Sequence, residues 1–393
     1  MQVTLDEGRA PWAGWPRRLL DVTAEELDEL AGNMIRFDGI RHVKIQGLIV
    51  RNTRTGVYFL DDCHDITLED IEIYQTRLAM RVGDLTDFTF RRMRLHHNHK
   101  GIFFDDGNAS DGLLEYVVAE YNDDGYDRAG DGDGFQMRAG VNNITFRHCI
   151  ARRNGEDGFD FKGWNITAEH CIAAQNGGVG IKTWNRGLVL RNVAAWGNTQ
   201  GVTVGNFYPF RDNDHEYIRD VSIVNATIAA NRWVGARIGA NMEIELRNNI
   251  FDASAGGVAV ATWQWRNQRV QGEHYRAPRI VPANDATPAA ERDSLMGVNM
   301  IWANQRNEFM IYQDRIIRPS ALRDGDWEVM GPNVRFVTEN PRFVDVAGGD
   351  FRLQPDSPAI DVGESNATPT QDLDGRDRPQ GEAVDLGAYE YAN

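Results

Sequence analysis

Residues 131–186 read GDGDGFQMRAGVNNITFRHCIARRNGEDGFDFKGWNITAEHCIAAQNGGVGIKTWNR, and they hold one pattern twice. NITFRHCIARRNGEDGFDFKGW begins at Asn143 and NITAEHCIAAQNGGVGIKTW begins at Asn165, an offset of 22 residues. The offset superposes Ile144 on Ile166, Cys149 on Cys171, Asn154 on Asn176 and Gly158 on Gly180. A fixed period of this length is the mark of a repeat architecture. Each unit holds two or three short Val/Ile/Phe-rich runs broken by Asn and Gly. That suits one coil of a parallel β-helix, stacked on the next at a strand spacing of ~4.8 Å.

The same pattern extends in both directions. It begins near Val43 and continues through HDITLEDIEIYQTRLAMRVG, TDFTFRRMRLHHNHKGIFFD and DGLLEYVVAEYNDDGY. Beyond the central pair come GLVLRNVAAWGNTQGVTVGN, RDVSIVNATIAANRWVGARIG and MEIELRNNIFDASAGGVAVA. The expectation is an all-β chain of nine or ten coils. Four segments are expected within one structural domain. Residues 1–40 hold a capping helix (DVTAEELDELAGN, 21–33), 41–262 the coils, 263–340 a long excursion packed on their outside, and 341–393 an irregular closing segment. Asn recurs at one corner, at Asn52, Asn98, Asn122, Asn154, Asn176, Asn198 and Asn231. Its tolerance of left-handed backbone suits a tight corner. In the tail, SPAID, DLDGRDRP and DLGAYEY carry Asp361, Asp372, Asp374 and Asp385, expected to fix turns.

Composition narrows the function. A net charge of −16 argues against nucleic acid and anionic membranes as partners. No apolar run is long enough for a transmembrane helix. The N-terminal residues lack signal-peptide character, so either the protein is cytoplasmic or a leader is absent from this sequence. Three cysteines, Cys63, Cys149 and Cys171, make no disulfide scaffold; a ladder of buried thiols is the preferred reading of the last two. Of 42 basic residues only Lys44, Lys100, Lys162 and Lys182 are lysine.

Strand alternation sorts the central side chains. Phe135, Phe159 and Ile181 form one inward ladder, and Met137, Phe161 and Thr183 a second. Gln136, Asp160 and Lys182 then face outward, as do Arg138, Lys162 and Trp184. Asp133, Glu156, Asp157, Asp160 and Lys182 are thereby expected on one exposed face, within about 10–12 Å. Carboxylates so crowded repel one another unless a cation sits among them, and hard oxygen donors suit Ca²⁺. A solvated acidic surface is the plain alternative. In a chain that otherwise favours arginine, Lys182 is placed where a group able to release its proton would serve as a base. The eight residues by which Asn122–Gly134 exceeds Asn154–Gly158 form an acidic, Gly-rich insertion, expected as a wall of the same face.

The series GDGDGF, NGEDGFDF, NGGVGIK resembles polysaccharide lyase family 9, the right-handed β-helix pectate lyases. The resemblance implies a right-handed coil, Asp133, Glu156, Asp157 and Asp160 as ligands of one Ca²⁺, and Lys182 as catalytic base. Glu156 stands where the family has Asp, Ile181 where it has an aromatic residue, and Thr183-Trp184 where it has Gly-Gly. The chemistry implied is β-elimination on a uronic-acid polymer of pectate type. Arg138, Lys162, Arg186 and Arg128 are candidates to hold neighbouring carboxylates, and Trp184 to stack on a sugar. The resemblance also implies a secreted or periplasmic protein; an acidic polysaccharide is the expected partner and a monomer the expected state. Three alternatives stay open. A glycoside hydrolase would use two of the aspartates. A C5-epimerase would need a second acid–base group such as His215 or Tyr217. A non-catalytic adhesin would hold calcium for rigidity.

Overall fold

A computed structural model describes residues 32–105, 107–123, 132–205, 218–239, 242–253, 258–262, 279–280, 298–302, 310–312, 315–317, 336–365 and 368–392. The expected capping helix up to residue 31, Arg128, His215, Tyr217 and most of 263–335 lie outside these residues. Asn33, expected to end the helix, opens the strand Asn33–Phe37.

The chain winds as a parallel β-solenoid, three strand runs to a turn. In the central repeat these are Asn142–Arg147, Ile150–Arg152 and Phe159–Phe161, followed by Trp164–Glu169, Ile172–Ala174 and Val179–Thr183. Each run pairs in parallel with its counterpart one period away: Ile144 with Ile166, Ile150 with Ile172, Phe159 with Ile181. The pairs expected from the sequence offset are thus the register of the sheets. Among the described residues about eight turns are complete, since Asp70, Arg92, Tyr116, His148, His170, Asn192, Asn225 and Asn248 recur as one left-handed corner. Nine or ten were expected. The shortfall falls after Thr262, where the described pieces nonetheless extend the sheets. Asn299–Trp302 pairs with Ile250–Asp252, and Met310–Tyr312 with Val258–Thr262. These strands are further rungs, not an outside excursion.

The coil is bent by left-handed residues spaced five apart, such as Asn165, His170 and Gln175, with φ of 54°, 55° and 57°. Only Asn52 of the recurrent asparagines sits at such a position (φ 55°). The others stand one residue later and do different work. Asn176 Nδ2 donates to Asn198 Oδ1 at 2.9 Å and to Ala151 O at 3.0 Å, while its Oδ1 accepts from Asn154 Nδ2 at 3.0 Å. Asn98, Asn122, Asn154, Asn176, Asn198 and Asn231 continue this buried amide ladder. Their role is to satisfy the peptide groups that the corner leaves unpaired, not to adopt unusual backbone. The ladder also explains the glycines beside it. A Cβ at Gly158 would lie 2.8 Å from Asn176 Nδ2 and 2.6 Å from Gly180 O.

Inside, Phe135 stacks on Phe159 at 4.9 Å, with Phe146 edge-on at 5.4 Å to the former. Each such ring removed from water contributes about 1.5–3 kcal/mol. Cys149 and Cys171 are free and buried, and their Sγ atoms approach Leu114 O (3.3 Å) and Phe146 O (3.5 Å). This is the thiol ladder the sequence favoured. The tail packs against Trp196 and Ile250, where Phe343, Phe351, Leu353 and Leu386 bury their side chains. Asn225 Nδ2 donates to Asp385 O at 3.1 Å, and Asn248 Nδ2 to Glu364 O at 2.8 Å. Three of the four aspartates expected to fix turns accept backbone hydrogen bonds: Asp361 from Ala383, Asp372 from Arg376 and Asp385 from Tyr391.

Candidate active site

The third run of each turn builds the site. Its outward positions align as Arg81, Phe103, Gln136, Asp160, Lys182, Thr203 and Arg237 on successive rungs. This is the expected Gln136–Asp160–Lys182 column, extended at both ends. Asp133 and Asp157 stand at the entry to their rungs, where the chain turns off the asparagine ladder. Asp133 Oδ1 accepts from Asp157 N at 3.0 Å, and Asp157 Oδ1 from Val179 N at 2.6 Å. These bonds tie the two carboxylates to consecutive turns.

The lysines close over the acids. Lys182 Nζ lies 2.6 Å from Asp157 Oδ2 and 3.6 Å from Asp160 Oδ1. Lys162 Nζ pairs with Asp160 Oδ2. Lys100, which sequence reasoning passed over, donates to Gln136 Oε1 at 2.8 Å and acts electrostatically on Asp133. Three of the chain's four lysines therefore meet here, and lysine scarcity was the signal that could have found the third. Trp184 carries Lys162 Nζ at 5.2 Å and Lys182 Nζ at 5.1 Å from its ring centre, a cation–π arrangement.

One expectation is corrected: the acids are not displayed. Asp133, Asp157 and Asp160 are only 1–2% exposed, whereas the Lys162 and Lys182 side chains are 17% and 20% exposed. The site is layered, with carboxylates below and ammonium groups above. Burial first, then the neighbouring Asp157 and Asp160, pushes Asp133 up to about 8. Burial likewise raises Asp157 against the pull of Lys182. For Lys182, burial acts downward, but Asp157 and Asp160 outweigh it and hold the amine protonated. The 2.6 Å contact is that of a charge-assisted hydrogen bond, so the pair stands as carboxylate and ammonium.

The remaining expected residues are more scattered. Glu156 is half-buried at the corner, where its backbone carbonyl accepts from Gly178 N at 2.8 Å. Arg138 is exposed and lies 5.5 Å from the Phe103 ring centre, one rung before Asp160's own. Arg186 rests on Trp164 at 5.5 Å, past the end of the Val179–Thr183 strand.

Among the described residues, no three acidic, histidine or cysteine side chains enclose one point as a metal site would. The Lys182 ammonium stands between Asp157 and Asp160 instead. The donor chemistry still suits a hard cation. Three oxygen acids share a buried space, and Asp160 Oδ1 is buried without a hydrogen-bond partner.

A protein family described as "Right handed beta helix region" matches residues 33–192 and 140–269. No curated protein sequence matches the chain. Two solved structures are similar in fold. The crystal structure of pectate lyase Pel9A is 17% identical with a TM-score of 0.47, over 86% of this chain and 73% of that one. The A-module of the Azotobacter vinelandii mannuronan C-5 epimerase AlgE6 is 14% identical with a TM-score of 0.39, over 81% of this chain and 94% of that one.

Proposed function

The chain belongs to the right-handed β-helix family, and we propose that it uses this scaffold as a polysaccharide lyase, cleaving a uronic-acid polymer of pectate type by β-elimination. The observation that carries the reading is the partly exposed amine of Lys182 held over Asp157 and Asp160. A base that removes a proton beside a carboxylate must reach the substrate while its own charge is under control. Lys182 meets the first need by its exposure; the second requires a cation on the acids beneath it, which otherwise hold the amine protonated.

The layering of charge supports an anionic substrate. An approaching uronate meets Lys162, Lys182 and Arg138 before it meets any buried aspartate. Asp133, Asp157 and Asp160, with Glu156 from the corner, are the residues that would hold Ca²⁺. The bound ion would supply neutralisation of the charge that develops on the substrate carboxylate. Lys182 then takes the C5 proton, and the C4–O bond breaks to leave an unsaturated uronate. For this the amine must first lose the proton that Asp157 and Asp160 now favour, so occupancy of those acids by a cation and activity of the base are coupled. Lys162 keeps Asp160 in place, and Trp184 offers an indole beside both amines.

A hydrolase reading draws on the elevated Asp133, a carboxyl held in its acid form. Asp133 is 1% exposed and bound to Asp157 N, so it presents no proton to a glycosidic oxygen. Such a polymer is met outside the cytoplasm, and an extracytoplasmic location goes with the proposal. The test is ultraviolet absorbance of unsaturated ends on polygalacturonate, alginate and glycosaminoglycan panels, with and without EDTA. Absorbance that rises on one polymer, stops with EDTA and is absent in Lys182→Ala is the expected result. Depolymerisation without unsaturated product, or full activity in Lys182→Ala, overturns it.

A further inference from the structure

Phe103 lies in the same outward column as Lys182, three rungs earlier, at a rise of about 14 Å. Its half-buried ring has Lys100 Nζ at 5.1 Å and the exposed Arg138 guanidinium at 5.5 Å from its centre. Lys100 is 7% exposed and its Nζ is fixed by Gln136 Oε1 at 2.8 Å. Two cations of different reach thus stand close to one aromatic ring on a chain whose net charge is −16. An aromatic face receives the C–H side of a sugar, and the cations beside it pair with a carboxylate on that sugar.

From this we infer that Phe103, Lys100 and Arg138 form a second sugar subsite, specific for a carboxylate-bearing residue of the same chain that reacts at Lys182. The inference rests on the lyase reading for the identity of the polymer, but not for the chemistry of the subsite. Three rungs separate the two positions, so the polymer must present acid sugars at both places in one bound stretch. The substrate is then a run of free uronates. A polymer whose acids are esterified or widely spaced leaves the Phe103 subsite unfilled.

The experiment uses the full chain and polygalacturonate. Phe103→Leu keeps apolar bulk while removing the ring, Arg138→Gln removes an exposed charge, and Lys100→Met removes the buried one. Each is expected to raise KM about tenfold, with kcat within about twofold of the parent. A Lys182→Ala background gives a second readout free of turnover: retardation in gels containing polygalacturonate, lost on adding Phe103→Leu. Highly methyl-esterified pectin is expected to retard neither protein. Unchanged KM and unchanged retardation in Phe103→Leu and Arg138→Gln overturn the inference, whether or not Lys100→Met folds. Retardation that depends on Phe103, with no unsaturated product from the parent, sinks the lyase reading and leaves the subsite standing. Unsaturated product with parental KM in both variants does the reverse.

Discussion

Asp160 and Lys182 are register partners on adjacent rungs, yet the amine of Lys182 turns to Asp157, 2.6 Å away, and stays 3.6 Å from Asp160. Lys162 takes Asp160 instead. The backbone fixes which columns are neighbours, and the side chains choose between two acids within it. A lysine placed between two buried carboxylates is held as an ammonium, which sets the terms for any chemistry at this site.

Lys182→Ala and Lys182→Arg should both lower lyase turnover by about 10²–10⁴, the range for loss of a general base. The arginine variant restores the ion pair with Asp157 but not a group able to give up its proton. Comparing the two on polygalacturonate separates a structural charge from a base. Wild-type rates in the arginine variant would contradict the assignment.

The rate should rise with pH, because Asp157 and Asp160 hold Lys182 protonated and only the neutral amine accepts a proton. A cation on those acids opposes their effect and lowers the pH at which the amine is freed. The rising limb of the pH–rate profile is therefore expected to move to lower pH as calcium increases. A limb that ignores calcium would separate the ion from the base.

Asn176→Ala should destabilise the fold by roughly 2–3 kcal/mol, since it strips buried partners from Asn154 and Ala151 O. Asn52→Gly, at a left-handed corner, should leave stability equal or slightly improved. Urea unfolding of the two variants distinguishes the amide ladder from the corner itself. Equal losses would refute the division of labour.

His96 should make the fold sensitive to acid. Burial first, then Arg94, lowers it to about 4, against Glu72, whose Oε1 lies 3.0 Å from Nε2. A histidine depressed below its usual 6.5 adds stability that is complete above that pH and lost as the pH falls towards 4. The melting temperature is expected to drop across that window. His96→Phe, which retains the stack on Tyr74 at 5.1 Å, should flatten the slope.

Arg378→Ala should loosen the tail. Arg378 and Glu390 are 1% and 0% exposed and meet at 2.7 Å, so removing one leaves a buried charge at a cost of about 3–5 kcal/mol. Limited proteolysis should then release the segment after Asn340 sooner than in the parent. Equal digestion would show that its apolar contacts with Trp196 and Ile250 suffice.

The sequence by itself determined the coil, its period and its register. Side-chain direction in a strand follows from parity, and a 22-residue repeat stacks like on like, so Asp160 beside Lys182 was legible without coordinates. Asn176 was legible as a corner residue but not in its function, because a left-handed kink and the amide beside it are one residue apart. Only the tertiary structure decided depth. It buried Asp133, Asp157 and Asp160 under the lysines, brought Lys100 in from a turn 36 residues before Gln136, and laid the tail along the flank. Depth depends on how far each side chain reaches across rungs and on what packs over it. Neither is encoded in a period, since both arise from atoms distant in the chain and near in space.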